Sequence, residues 1–205
     1  MLARFTGLGA ALLAFSLVPG RAAPGNFQTS ADSSALATSK AAKGLDLSGK
    51  PVDPFDLSAG KPLVLIFVRT DCPISNRYAP TIEALSKRYA DAVRMMLVYP
   101  DRSETPAAIE KHLHEYGYEI PALRDTRRDL VRLSEVEITP EAAVFKGNRE
   151  LIYHGRIDNW YKDFGHPRIA PTTHELDEAI QAALSPGRSA PASVGGVGCY
   201  ISDLQ

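Results

Sequence analysis

Cys72 and Cys199 are the only cysteines in a chain of 205 residues, and their placement suits redox chemistry. Cys72 lies just past an apolar run, Leu63 to Val68, and opens the segment Cys72-Pro73-Ile74-Ser75-Asn76-Arg77-Tyr78-Ala79-Pro80. A cysteine where a buried strand hands over to a helix sits in the field of the helix N-terminus. That field favours thiolate over thiol by about 0.3–1 kcal/mol. The hydroxyl of Ser75, three residues on, can donate to the anion. Arg69 adds to this if it turns toward the sulfur, and Asp71 opposes it. Because serine cannot resolve a mixed disulfide, Cys72 has three routes: resolution by Cys199, resolution by an external thiol, or metal ligation. The competing reading is an inert core cysteine.

Cys199 stands near the chain end, in a stretch rich in Gly, Ala, Ser and Pro that reads as a mobile tail over 188–205. A mobile thiol suits a resolving cysteine. A permanent disulfide is also reasonable, since closing so large a loop stabilises a fold by about 5 kcal/mol at most. For a metal, soft thiolates select Cu(I), with His154, His166 and His174 as candidate partners. None has motif-grade spacing to a cysteine, so no metal site and no cofactor is expected. His112 and His114 fall on what reads as the solvated face of a helix.

These thiols need a scaffold and a compartment. With 44% hydrophobic residues the chain can bury one ordinary core. Lys and Arg (23) nearly balance Asp and Glu (24), which argues against a nucleic-acid partner. Residues 1–22 read as an export signal: Arg4, the apolar stretch Leu8 to Val18, and Gly20-Arg21-Ala22 with cleavage after Ala22. The apolar run is too short to span a bilayer in the mature protein, and no other segment approaches that length. The expectation is a soluble periplasmic or extracellular protein, in an oxidising compartment where two cysteines favour a disulfide.

Residues 23–43 read as a flexible leader and 44–187 as one folded domain. Leu45 to Leu57 suggests a short hairpin turning at Gly49. Leu63 to Val68 and Val93 to Tyr99 read as strands buried on both faces. A helix is predicted over Ser75 to Ala90, burying Ile82, Leu85 and Tyr89 and kinked at Pro80. Thr105 and Pro106 start another, with Ile109, Leu113 and Tyr116 inward and Gly117 ending it. A short helix follows at Arg128 to Ser134. Strands at Ala142 to Phe145 and Leu151 to His154 form a hairpin across Lys146-Gly147-Asn148-Arg149. Trp160, Tyr161 and Phe164 fall in a loop, where they either line a docking surface over Cys72 or pack on the sheet edge. Arg156 and Asp158 suggest a structural ion pair. A capping box at Thr172 and Glu175 opens the last helix, which buries Leu176, Ile180 and Leu184. The order implies an α/β fold, a mixed central sheet with helices on both faces and an N-terminal hairpin extension.

That order resembles the thioredoxin fold, with Pro80 eight residues after Cys72 and Thr139-Pro140 just ahead of a strand. Cys72 to Pro80, Tyr153 to Asp158 and Gly198 to Ile201 narrow the resemblance. They are similar to motifs of an exported, peroxiredoxin-like subgroup of the alkyl hydroperoxide reductase/thiol-specific antioxidant redoxins, whose members end in Gly-Cys-x-Ile. The resemblance implies that Pro140 is a cis-proline facing Cys72 and that Thr139 offers its backbone to a substrate strand. It implies thiol–disulfide exchange at Cys72, with a thiol or disulfide protein or a small thiol as partner. Typical members carry Thr three residues and Pro seven residues before the peroxidatic cysteine, where this chain has Arg69 and Leu65. Weak peroxidase activity, Sco-type Cu(I) delivery and a non-catalytic binding module are the alternatives.

Overall fold

The computed structural model describes residues 42–202. The expected export signal and nearly all of the expected leader lie outside the described residues. The elements run β1 (Gly44–Leu45), β2 (Pro51–Val52), α1 (Pro54–Ser58), β3 (Leu63–Phe67), α2 (Pro73–Arg77), α3 (Ala79–Tyr89), β4 (Arg94–Tyr99), α4 (Pro106–Tyr116) and β5 (Ala122–Arg124). There follow α5 (Asp129–Ser134), β6 (Ile138–Thr139), β7 (Glu141–Phe145), β8 (Leu151–Gly155), β9 (Tyr161–Asp163), β10 (His166–Pro167), α6 (Glu175–Leu184) and β11 (Cys199–Tyr200).

The main sheet has the strand order β2-β1-β5-β4-β3-β7-β8. β3, β4 and β5 are parallel, while β7, β8 and the β1–β2 hairpin run antiparallel to their neighbours. β3 is central, and side chains alternate across a strand, so its residues feed two cores. Val64 and Ile66 point into one with Ile82, Ile109 and Ile180 of α3, α4 and α6. Leu63, Leu65 and Phe67 point into the other with Phe55 of α1 and Leu130 of α5. This is why the run is apolar without interruption.

The predicted helix after Cys72 divides rather than kinks. Pro80 has no N–H to donate to Asn76 four residues back, so the chain breaks at Tyr78 (φ −81°, ψ −7°), and Pro80 lies in the first turn of α3. The N-terminal hairpin is present, but its second strand ends at Val52. Asp53 then accepts the Phe55 N–H and caps α1, where a strand was expected.

Helix α4 is capped at Thr105 and ended by Gly117 (φ 68°) as expected, yet its inner face is rotated. His112, expected in solvent, is buried, while Tyr116, expected inward, is exposed. The reason is that His112 finds polar partners inside. Thr172 and Glu175 do not form a capping box. Thr172 accepts from Asn159 Nδ2 at 2.8 Å, and the Glu175 carboxylate is taken by Arg156 and Thr173. Helix α6 still buries Leu176 and Ile180, but Leu184 at its end is exposed.

Leu97, fully buried in β4 between two parallel neighbours, tests this account of the core. Leu97→Ala should destabilise the protein by about 2–5 kcal/mol, seen as a lower urea midpoint at unchanged m-value.

Candidate active site

Cys72 is the N-cap of α2, with extended backbone (φ −85°, ψ 109°) and Pro73 at the first helical position. Its sulfur accepts the Ser75 N–H at 3.5 Å. The thiol in turn donates to the carbonyl of Thr139 at 3.2 Å, and the Thr139–Pro140 peptide bond is cis. Ser75 is fully buried, and its hydroxyl has no hydrogen bond of ordinary geometry among the described residues, which leaves it to serve the adjacent sulfur. Arg69 does not turn to the sulfur. Its guanidinium bonds Asp71 at 2.9 Å and lies 4.0 Å from Asp101.

The C-terminal tail, read from its composition as mobile, is laid against this site. β11 pairs antiparallel with β6, setting Cys199 opposite Thr139 and Tyr200 opposite Ile138. The Thr139 hydroxyl donates to Cys199 O at 3.3 Å, and Ile201 N–H donates to Glu137 O at 2.9 Å. The edge of Thr139 expected to be open is therefore taken by the chain's own end. Glycine explains the seating: a Cβ on Gly198 would lie 1.9 Å from Thr139 O. Cys72, Ser75, Thr139, Pro140 and Cys199, scattered over the sequence, thus converge. Cys72 is completely inaccessible in this closed form, and Cys199 is half-buried.

The two thiols ionise unequally. Burial pushes Cys72 up. Donation from the Ser75 hydroxyl, the Ser75 N–H, the Cys199 thiol and the Ile74 N–H more than offsets this, so its pKa falls below the ordinary thiol value. The Thr139 carbonyl, as an acceptor from the thiol, favours the neutral form. Cys199 goes the other way, to about 12, through burial first and then its bond to and charge interaction with Cys72. Of the two thiols, Cys72 is therefore the one that gives up its proton more readily.

Behind Cys72 runs a polar chain that the sequence did not disclose. Thr70 N–H donates to the buried Glu104 at 2.6 Å, and Asn76 Nδ2 donates to Thr70 O at 3.1 Å. Asn76 Oδ1 meets His112 Nε2 at 2.8 Å, and His112 Nδ1 meets the Tyr99 hydroxyl at 2.9 Å. Because Asn76 spends its amide hydrogens on Thr70, its oxygen accepts, so His112 carries its proton on Nε2 and Nδ1 accepts from Tyr99. The place of Asn76 within the Cys72 segment was the one available signal. In addition, Tyr78 donates to Asp158 at 2.6 Å and stacks edge-on against Trp160 at 5.5 Å. This ties the Cys72 segment to the Tyr153 to Asp158 segment.

Arg156 pairs with Glu175, not with Asp158 as expected. Trp160 and Tyr161 pack on Tyr78, and Tyr161 opens the β9–β10 hairpin, while Phe164 is exposed. His154 faces Glu135 at 3.7 Å, and His166 bonds Asp163. No group of three or more His, Cys, Asp or Glu side chains suited to a metal gathers among the described residues.

The AhpC/TSA family model matches residues 33–154, more than half of the chain. The chain belongs to the AhpC/TSA family. Solved structures agree on a thioredoxin-like fold for this redoxin. A hypothetical protein of Sinorhizobium meliloti superposes with a TM-score of 0.65 at 20% identity, over 78% of this chain and 88% of that one. An uncharacterized thioredoxin-like protein of Porphyromonas gingivalis gives 0.54 at 23% identity, over 72% and 92%. The exposed lipoprotein thioredoxin of Streptococcus pneumoniae gives 0.50 at 19% identity, over 69% and 96%. No curated protein matches the chain.

Burial holds the pKa of His112 below the ordinary imidazole value, with Glu115 opposing weakly. The folded state therefore favours the neutral ring, whereas the unfolded chain takes up a proton near pH 6.5. Stability should fall as pH drops below that value. The urea midpoint should decline from pH 7.5 to 5.5 in the native protein and decline less in His112→Gln, which cannot titrate. His112→Leu strands polar groups of Asn76 and Tyr99 and should cost about 1–3 kcal/mol.

Proposed function

We propose that the protein is an exported thiol–disulfide oxidoreductase in which Cys72 is the nucleophile and Cys199 the resolving thiol. The observation that carries this reading is the pairing of Cys199 with Thr139, whose carbonyl also holds the Cys72 thiol. Ser75 and the α2 N-terminus stabilise the thiolate, and the segment read as an export signal supports an oxidising compartment.

The Cys72 thiolate attacks one sulfur of a partner's disulfide. A Cys72–partner bond forms, the partner's S–S bond breaks, and the departing thiolate leaves with the electron pair and takes a proton. Ser75 cannot complete the cycle. Once Cys72 is in a mixed disulfide, its hydrogen bond and charge interaction no longer hold the proton on Cys199, and burial remains as the cause that opposes its ionisation. Cys199 then attacks Cys72, releasing the partner's second thiol and leaving a Cys72–Cys199 disulfide. The partner has gained two electrons, and an external thiol pair restores the protein. Run backwards, the same steps oxidise a partner dithiol. Since Cys72 has no exposed surface, a protein partner reaches it only when the tail lifts.

With a mild oxidant the intact protein should lose the mass of two hydrogens and yield a Cys72–Cys199 peptide, with a gain of at most about 5 kcal/mol in stability. In its own compartment Cys199→Ser should accumulate mixed disulfides at Cys72, and Cys72→Ser should accumulate none. Equal trapping by the two variants would overturn the assigned roles.

A further inference from the structure

The tail is held by a fitted seat rather than by general stickiness. Val194 O accepts from Arg156 N–H at 2.8 Å, and Gly196 N–H donates to Glu141 Oε1 at 2.6 Å. Glu141 is itself buried, and its other oxygen is fixed by the N–H groups of Glu137 at 2.9 Å and Ile138 at 3.2 Å. It cannot swing aside to suit another chain.

Two positions along the tail tolerate no side chain. A Cβ on Gly198 would meet Thr139 O at 1.9 Å, and one on Gly196 would meet Pro140 O at 2.9 Å and Glu141 Cγ at 3.0 Å. Because Thr139 O is the atom that also receives the Cys72 thiol, it cannot retreat without dismantling the site. Two residues beyond Cys199, Ile201 is 2% exposed and packs into the second core near Val131 and Val136. Tyr200 between them is 54% exposed and makes no such demand.

We infer that this seat is the partner-recognition surface and that the protein's own tail is its resident occupant. A polypeptide that replaces the tail pairs as an extended strand with Ile138–Thr139. It carries glycine immediately before its reacting cysteine and a branched aliphatic residue two positions after it. The inference rests on the disulfide exchange proposed above, since a sealed Cys72 reacts with a protein only after the seat is vacated. Selectivity then comes from the seat, which rejects a chain lacking either feature by steric conflict at Thr139 or by an empty apolar hole at the Ile201 position.

The test uses the full-length reduced protein. Gly198→Ala should expel the tail, and iodoacetamide should then alkylate Cys72 faster by about tenfold or more, read by peptide mass so that Cys199 is scored separately. Ile201→Asp releases the tail from its other anchor and should give the same acceleration if Gly198→Ala folds poorly. Unchanged Cys72 reactivity in a folded variant of either kind overturns the inference. The opened protein is next given the peptide Gly-Gly-Val-Gly-Cys-Tyr-Ile-Ser, its cysteine carried as a 2-thiopyridyl disulfide. The Cys72 thiolate attacks the peptide sulfur, the Cys72–peptide bond forms, and pyridine-2-thione leaves with the electron pair, giving the absorbance that is followed. Ala for the glycine before cysteine, or Asp for the isoleucine, should slow this reaction about tenfold. Equal rates for all three peptides overturn the inference while leaving Cys72 a competent nucleophile and the proposed function intact. Failure of Cys72 to react even with free 2,2′-dithiodipyridine in the opened protein removes the thiol chemistry and the inference with it.

Discussion

The meeting of the α2 N-terminus with the Thr139–Pro140 corner is the constraint on which the rest of the molecule depends. A sulfur at a helix mouth gains from the helix field, and the Thr139 carbonyl fixes where that sulfur points. The strands exist, in this sense, to hold that geometry. β3 delivers Cys72 from the centre of the sheet, and β7, antiparallel to it, delivers Pro140 at the matching level, with Phe67 opposite Glu141. The break at Tyr78 lets α2 stand as a separate short helix whose orientation is set by Asn76, Tyr78 and their partners.

Placing two thiols together creates an electrostatic asymmetry between them. Both are buried enough to resist ionisation, yet the available donors converge on Cys72, and Cys199 becomes one of them. A shared site cannot hold two thiolates cheaply, so one sulfur is lowered at the other's expense.

The closing of the site by its own C-terminus follows from steric economy. Glycine is the residue that lets the tail cross Thr139 and Pro140 at close range. The hydrogen bonds of Glu141, Glu137 and Thr139 then hold the backbone, and Ile201 supplies apolar burial. The result is a closed arrangement in which Cys72 has no exposed surface.

The continuous apolar run of β3, the cap and stop of α4, the hairpin of β7 and β8, and the place of Cys72 between a buried strand and a helix are all local matters, set by periodicity, turn chemistry and residue type. They were legible in the chain itself. The Tyr153 to Asp158 and Gly198 to Ile201 segments were visible as patterns, but not what they touch. Tertiary contact alone decided that His112 points inward, because only in the fold do Tyr99 and Asn76 meet it from two different elements. It decided that Arg156 chooses Glu175 over its near neighbour Asp158, and that a Gly-rich tail is seated through a two-residue strand, Cys199–Tyr200, rather than left as a tether. Composition reports the freedom a segment has when alone. Whether that freedom is kept or lost depends on the surface it meets, and no local pattern encodes a surface whose residues, such as Thr139 and Glu141, lie 60 and 55 positions from the tail residues they hold.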